Sequence, residues 1–330
     1  MHIPDGFLDA KTAIAAGALG AAGLGLALRD VRRNVPASRV PLIGLAGAFI
    51  FAAQMLNFPV AGGTSGHLIG AVLAAVLLGP GAAVLVMSAV LILQCFLFAD
   101  GGVTALGANI FNMAVVAPIV GYAAYLLVRR LAGASLRSRL LATGFAAWCS
   151  TVAASIACAA ELAASGTVAW GVSFPAMAGV HMVIGVGEGV ITTLVVAAVA
   201  RVRPELLFDG ATDRERGGYR QFAVYGLLVA VGLALFVSPF ASGWPDGLEK
   251  VAERLGFEHR AAPAALDSPL SDYAVPGLGS PIVSTVVAGI AGTLAAFALA
   301  YVLARLLTPS RAARGTGRRK GDSCDAPRAA

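Results

Sequence analysis

The residues best suited to chemistry in this sequence are two histidines, His2 near the start and His67 in a glycine-rich stretch. The α-amine of Met1, the deprotonated amide nitrogen of His2 and its imidazole can close two fused chelate rings on one metal ion. One further in-plane position then remains for the imidazole of His67. Four nitrogens in a plane suit a late first-row divalent ion such as Ni(II), Cu(II) or Co(II). We therefore expect a metal site built from Met1, His2 and His67.

The composition indicates where such a site would lie. Of 330 residues, 58% are hydrophobic and only 13% are charged, which is too apolar for a soluble domain of this size. The net charge of +6 comes from short basic runs between apolar segments, and no basic face interleaved with aromatic residues is present. The sequence thus predicts an integral protein of the lipid bilayer and excludes a soluble chelator and a nucleic-acid partner.

Nine apolar segments are candidates for membrane helices. They cover residues 10–28, 41–56, 67–79, 81–99, 109–128, 141–164, 176–200, 221–240 and 281–307. This pattern predicts an all-α, polytopic membrane protein with a seven-helix module followed by a two-helix C-terminal module.

The distribution of basic residues predicts the orientation. Most of the 24 lysines and arginines fall in segments 29–39, 129–139, 201–220 and 305–328, which nine crossings would place on one side. By the positive-inside rule that side is the cytoplasm. We expect the N-terminus outside, the C-terminus in the cytoplasm and the acidic segment 241–280 outside.

The third apolar segment is unusually short. Thirteen residues of helix span roughly 20 Å, whereas the hydrocarbon core is roughly 30 Å thick. Segment 67–79 is either a short true crossing or the first half of a helix kinked at 79–81, and the charge rule favours the crossing. A short crossing predicts that His67, at its start, lies in a recess lined by protein. The preceding loop 57–66 is irregular by composition.

The chain divides into four expected parts. Residues 1–205 form the seven-helix domain, and 206–219 form a charged cytoplasmic linker. Residues 220–307 form the two-helix domain with its outer loop 241–280, in which a turn at Trp244 precedes a short helix through Leu255. The basic tail 308–330 is expected to be disordered.

Four polar residues lie close to His67 in sequence or on a neighbouring helix face. Gln54 and Asn57 share a face at the end of the second helix, and Thr64 and Ser65 precede His67. They either hydrogen-bond to the metal ligands and orient them or form ordinary interhelical hydrogen bonds. The sequence alone leaves both alternatives open.

His181 and Glu188 are seven residues apart and share one face of the seventh helix. Both are costly in lipid and must face the interior, as a structural hydrogen-bonded pair or along an ion path.

Gly63-Thr64-Ser65-Gly66 also resembles the G-x-S-G motif of rhomboid intramembrane proteases. The alternative function is therefore a serine protease that uses Ser65 and His181. A passive metal channel is a third hypothesis.

Three motifs carry a stronger resemblance. Residues 1–8 (MHIPDGFL), 62–68 (GGTSGHL) and 181–188 resemble the CbiM/NikM substrate-binding membrane component of cobalt and nickel energy-coupling-factor transporters, over roughly residues 1–205. The resemblance implies seven helices and an ion held through the amine of Met1, the amide and imidazole of His2, and His67. Residues 220–307, with Pro245-Asp-Gly-Leu-Glu249, resemble the family's two-helix component in its PDGLE form.

The resemblance also implies the setting in which the chain works. A transmembrane coupling protein and an ABC-type ATPase are the expected partners, since the sequence has no nucleotide-binding loop of its own. The chain itself is then not an enzyme and carries no organic cofactor. It would import Co(II) or Ni(II) across a bacterial inner membrane, for cobalamin synthesis or for nickel enzymes.

Overall fold

Helices account for most of residues 1–133, 135–207 and 218–308, the part of the chain that the computed structural model describes. The α-helices are α1 (Ala10–Asn34), α2 (Val40–Gln54), α3 (Ala71–Leu78), α4 (Pro80–Leu93), α5 (Leu106–Asn109), α6 (Ala117–Ala132), α7 (Leu136–Ala164), α8 (Trp170–Val202), α9 (Tyr219–Phe236), α10 (Gly247–Leu255) and α11 (Pro281–Leu307). A π-helical turn, Gln94–Phe98, extends α4, and another, Ile110–Val116, joins α5 to α6.

Eight helical segments among the described residues are long and apolar enough to cross a membrane. Large apolar side chains such as Ile14 and Leu131 point outward on them, as expected where the surrounding solvent is lipid rather than water. The prediction of an all-α, multi-pass membrane protein is confirmed. The ninth predicted crossing corresponds to α3, whose eight residues are too few to span a bilayer as a helix.

The chain nevertheless crosses the molecule at α3. The segment before α3 contacts Met1 through His67, whereas Gly81, just after α3, packs directly against Asp30 near the end of α1. The two ends of α3 therefore lie at opposite ends of the bundle, as the short-crossing alternative predicts.

The predicted start of the third helix at His67 is wrong. The helix begins at Ala71, and His67 lies in the irregular segment before it. Two short antiparallel strands, β1 (Phe58–Val60) and β2 (Thr64–Gly66), form a hairpin in the loop that the composition indicated to be irregular. The side chain of Glu188 accepts from the N–H groups of Ile69 and Gly70, and the left-handed Gly70 is the N-cap of α3.

Five connecting segments gather at one end of the bundle, which we call the loop end. They are residues 1–9, 55–70, 99–105, 165–169 and 237–280. Hydrogen bonds join them in pairs, for example Gly102 N to Ile3 O at 2.8 Å and Ser242 N to Asn57 O at 2.8 Å. The loop end thus encloses the first residues of the chain on several sides.

The C-terminal module (residues 218–308) packs on the rest of the chain through α2. Helix α2 contacts both α9 and α11. A Cβ added at Gly47 would lie 2.8 Å from the Cβ of Ala300, so these two helices approach closely only because Gly47 has no side chain. Of the expected linker, residues 208–217 lie outside the described residues, as does the tail from residue 309.

The short helix α10 forms where the sequence predicts it. Asp246 is its N-cap: its Oδ1 accepts from the backbone N–H of Leu248 and Glu249, and the Glu249 side chain accepts from Asp246 N. This capping box satisfies backbone donors that a helix start leaves free. Gly256, in the left-handed conformation, ends the helix. The C-terminal module therefore contributes α10, a helix capped at both ends, to the loop end.

Candidate metal centre

The α-amine of Met1 lies inside the loop end, not on its surface. Met1 is 4% exposed. Its nitrogen lies 3.1 Å from Nε2 of His67 and forms an ion pair with the carboxylate of Asp246. Two of the three residues predicted to hold a metal are therefore in direct contact.

Hydrogen bonds to helix α5 and to two other loops hold the segment after Met1 in place. Asn109 accepts from the N–H of Ile3 at 2.8 Å and donates to its carbonyl at 3.1 Å. Asp5 accepts from the N–H and hydroxyl of Thr104 at 2.8 and 2.6 Å and from Ala265 N at 3.2 Å. These contacts fix where residues 1–5 lie relative to His67.

His67 presents the correct nitrogen for metal binding. Its Nδ1 lies 3.3 Å from the carbonyl of Leu68, so Nδ1–H donates and Nε2 carries the lone pair that faces Met1. Burial and the positive charge of the Met1 amine lower the pKa of His67 to about 3. A neutral imidazole whose second nitrogen donates to a carbonyl is the usual form of a histidine ligand.

His2 stacks on His67, with ring centroids 5.4 Å apart. Its Nδ1 pairs with Asp100 Oδ1 at 3.0 Å, and Asp100 Oδ2 accepts from the hydroxyl of Tyr273 at 2.5 Å. The Nε2 of His2 is buried without a hydrogen-bond partner among the described residues. Because the predicted chelate uses Nδ1, the imidazole must turn away from Asp100 to complete it.

The donor atoms agree with the predicted ion in type and partly in position. Two nitrogens bound at right angles and at about 2.0–2.1 Å from a metal lie about 2.9 Å apart, close to the 3.1 Å between Met1 N and His67 Nε2. Within the described ranges, no three His, Cys, Asp or Glu side chains form a metal-binding cluster. A metal site at this position would therefore need the amine and backbone nitrogens as well as side chains.

A buried carboxylate of α8 holds the segment that carries His67. Glu188 accepts from Ile69 N at 2.6 Å and from Gly70 N at 2.9 Å. Gln54 donates to Ile69 O at 2.8 Å. Gly70 has φ +79°, a conformation that favours glycine. Glu188 and Gln54 therefore act on the backbone beside His67 rather than on its imidazole.

The structure gives His181 and Glu188 different partners. His181 Nδ1 lies 2.8 Å from Met177 O, and the ring lines a small cavity of about 10 Å³ with Met1, His67 and Asp246. Helix α8 thus brings His181 next to Met1 and His67, a proximity that the sequence does not indicate. His259, in contrast, is exposed.

Two of the other polar residues near His67, Ser65 and Asn57, contact the C-terminal module. Ser65 donates through its hydroxyl to the carbonyl of Trp244 at 2.7 Å, and Asn57 accepts there through its backbone. Thr64 is buried in β2. Among the described residues, Ser65 has no hydrogen bond to His181, so the geometry does not support a serine protease.

Two carboxylates at the site were missed by sequence reasoning. The sequence pattern places Asp246 in a turn and in the PDGLE motif but not at the ion, and it does not point to Asp100 at all. Burial opposes the charges of Met1 and Asp246, but their ion pair outweighs it: the pKa of the amine is raised and that of Asp246 lowered. A carboxylate beside Met1 could have been expected on chemical grounds, since a buried amine needs an anionic partner.

Comparison with known proteins places the chain in a family. The family described as "Cobalt uptake substrate-specific transmembrane region" (CbiM) matches residues 2–206, and the PDGLE domain matches residues 220–309. The putative fused nickel transport protein NikMN of Archaeoglobus fulgidus is 39% identical over 307 residues, covering 92% of this chain and 98% of that protein.

Further similarities agree with this assignment. The probable fused nickel transport protein LarMN of Lactiplantibacillus plantarum is 33% identical, covering 84% of this chain and 90% of that protein. A crystal structure of a truncated transition metal transporter has a TM-score of 0.56 at 36% identity, covering 61% of this chain and 99% of that chain. The protein is thus a transporter component that belongs to the CbiM family, with a PDGLE domain fused at its C-terminal side.

Proposed function

We propose that this protein binds Co(II) or Ni(II) for an ATP-driven energy-coupling-factor importer and holds the ion with Met1, His2 and His67. The observation that carries the proposal is the buried contact between Met1 N and His67 Nε2 at 3.1 Å. Relatives named as nickel transport proteins support it.

The proposed coordination requires a rearrangement of His2. The amine of Met1 and Nε2 of His67 already face each other, whereas Nδ1 of His2 faces Asp100. Binding the ion would deprotonate the amine and the His2 amide and turn Nδ1 toward the ion. Because protons leave as the metal enters, the affinity for the ion should rise with pH.

The remaining features of the proposal concern the setting of the protein. The loop end faces outward in a plasma membrane, residues 1–205 hold the ion, and residues 220–307 support the loops over it. A coupling protein and an ABC-type ATPase supply the energy. Cobalt for cobalamin or nickel for metalloenzymes is the cargo, and the Irving–Williams order favours nickel for the same nitrogen set.

Metal accumulation in cells that also produce the coupling protein and ATPase tests the proposal. His67→Ala, or a residue added before Met1, should abolish accumulation, because each removes one nitrogen of the site. His259→Ala, which changes an exposed histidine, is the matched control and should leave uptake unchanged. Mass spectrometry of the purified protein verifies the N-terminal residue. Retained uptake in the extended or His67→Ala protein would overturn the coordination.

A second arm separates the importer from a passive channel. The wild-type protein is produced with a partner ATPase whose Walker A lysine is replaced. An importer loses accumulation under these conditions, whereas a channel keeps it. Competition between Ni(II) and Co(II) in the same cells identifies the preferred ion.

A further inference from the structure

Asp246 uses both oxygens of its carboxylate. Oδ1 accepts from the N–H of Leu248 at 2.8 Å and of Glu249 at 2.9 Å, which caps α10. Oδ2 pairs with the α-amine of Met1, 245 residues away in sequence. One side chain thus links the first helical turn of α10 to the N-terminus.

The segment around Asp246 is fixed to the rest of the protein from two sides. Ser65 donates through its N–H to Pro245 O at 2.8 Å and through its hydroxyl to Trp244 O at 2.7 Å. On the other side, a Cβ added at Gly247 would lie 2.7 Å from Cε1 of His181. The position of the Asp246 carboxylate is therefore determined by β2, by α8 and by its own helix cap.

An amine that binds a metal uses its lone pair and keeps its N–H groups. A carboxylate can therefore accept from the same nitrogen before and after the ion binds. Groups that hydrogen-bond to a ligand in this way set its orientation, and replacing them typically weakens metal affinity by about 10–100-fold. The contact from Asp246 to Met1 has this chemistry.

We infer that Asp246 is a positioning residue of the ion site, through which the C-terminal module directs the α-amine of Met1 toward the ion. The inference rests on the proposed function, since it assumes that this amine is a ligand. It assigns the C-terminal module a direct contact with the coordination site in addition to its contacts with the loops.

Asp246→Asn separates the two roles of the side chain. Asparagine is as good an N-cap as aspartate, so its oxygen can still cap α10. Its amide group then faces Met1 as a donor and cannot accept from the amine. We expect purified full-length Asp246→Asn to bind Ni(II) about 10–100-fold more weakly than the wild type, with a reduced visible absorption of planar, four-nitrogen nickel.

Two further variants complete the experiment. Asp246→Ser keeps a capping hydroxyl that is too short to reach Met1 and should show the same loss. Asp272→Asn removes the same charge from an exposed position of the same loop and should behave as the wild type. Wild-type affinity and absorption in either Asp246 variant would overturn the inference, as would an equal loss in Asp272→Asn. A wild-type protein that binds no nickel would instead overturn the proposed function.

Discussion

The two modules meet in two chemically different ways. Among the membrane helices the contact is apolar and depends on small residues, as where Gly292 of α11 packs directly against the ring of Phe51 in α2. At the loop end the contact adds hydrogen bonds and an ion pair, such as Asp5 to Ala265 N and Met1 to Asp246, to the ring contact between Phe7 and Phe257. Apolar packing between helices sets only how closely they approach, whereas hydrogen bonds fix particular atoms.

We call the membrane helices the helix layer and the loop end the loop layer. The different contacts in these two layers indicate that the layers have separable roles. The helix layer should hold the modules together, because α2 packs along both α9 and α11. The loop layer should place the proposed ligands, because all the contacts to Met1, His2 and His67 described above lie there or reach into it. The following changes test that division.

Gly292→Ala should have the largest effect, on stability. The new methyl group would collide with Phe51, and overpacking of this kind costs about 1–3 kcal/mol. The thermal unfolding midpoint in detergent should fall, while the folded protein keeps its nickel affinity. Gly232→Ala in α9 is the matched control, since no atom lies within 4 Å of its added methyl group. A loss of nickel affinity without a loss of stability would contradict the division.

Glu188→Gln tests whether a side chain of a membrane helix, α8, positions the loop that carries His67. Glutamine offers one acceptor and one donor to the N–H groups of Ile69 and Gly70, so one hydrogen bond is lost beside His67. Nickel affinity should fall by about tenfold or more, measured by titration of the purified protein.

Glu161→Gln provides the matched control for that change. Glu161 is another buried carboxylate of the helix layer, and its partner is Asn112 at 2.6 Å. Glutamine keeps an acceptor for Asn112, so nickel affinity should be unchanged. An equal loss in both variants would show that any buried charge matters and that the contact to residues 69 and 70 does not.

Asp5→Asn should weaken the loop layer in a pH-dependent manner. Burial opposes the charge of Asp5, but hydrogen bonds from Thr104 and from the Ala265 backbone outweigh it and lower its pKa below the ordinary 3.8. A lowered pKa stabilises the folded state above the unfolded-state pKa, and this contribution disappears as pH falls through the folded-state value. At pH 7 the variant should be less stable by about 1–2 kcal/mol.

Thermal unfolding between pH 7 and pH 3 measures this effect. The difference between the wild type and Asp5→Asn should shrink as the pH falls below 4, because the carboxyl of the unfolded wild type is protonated first and that of the folded protein at lower pH. A difference that stays constant over this range would show that Asp5 contributes through shape and not through charge.

Ser65→Ala should have the smallest effect. It removes the hydroxyl bond to Trp244 O but keeps the backbone bond to Pro245 O, at a cost of about 1 kcal/mol. Metal uptake should persist. Abolished uptake with an unchanged unfolding midpoint would mean that the hydroxyl has a chemical role that the structure does not indicate.

Local patterns in the sequence predict much of the fold. Hydropathy locates the long helices to within a few residues at most ends, and the short α3 follows from the length of its apolar segment. The capping box of α10 is also local, since Asp246 and Glu249 are three residues apart. The hairpin β1–β2 was not predicted, because residues 57–66 lack the alternation typical of strands. In the structure, the N–H and hydroxyl of Ser65 in this hairpin donate to the carbonyls of Pro245 and Trp244.

The candidate site was predicted only in part. Met1, His2 and His67 have donor atoms that are recognisable from residue type alone. Asp100, Glu188 and Asp246 approach them from segments far away in the sequence, and residue type does not show which carboxylate will lie beside a given amine or amide.

The sequence by itself therefore determined that this is a multi-helix membrane protein with a nitrogen-rich N-terminus, because hydropathy and donor chemistry are properties of single residues and short segments. Only the tertiary structure decided that Met1 meets His67 and Asp246, that Glu188 holds the backbone beside His67, and that His181 lies beneath them. The physical reason is that these contacts join residues 66 to 245 positions apart. Such pairs form through the packing of whole helices and loops, which no local pattern encodes.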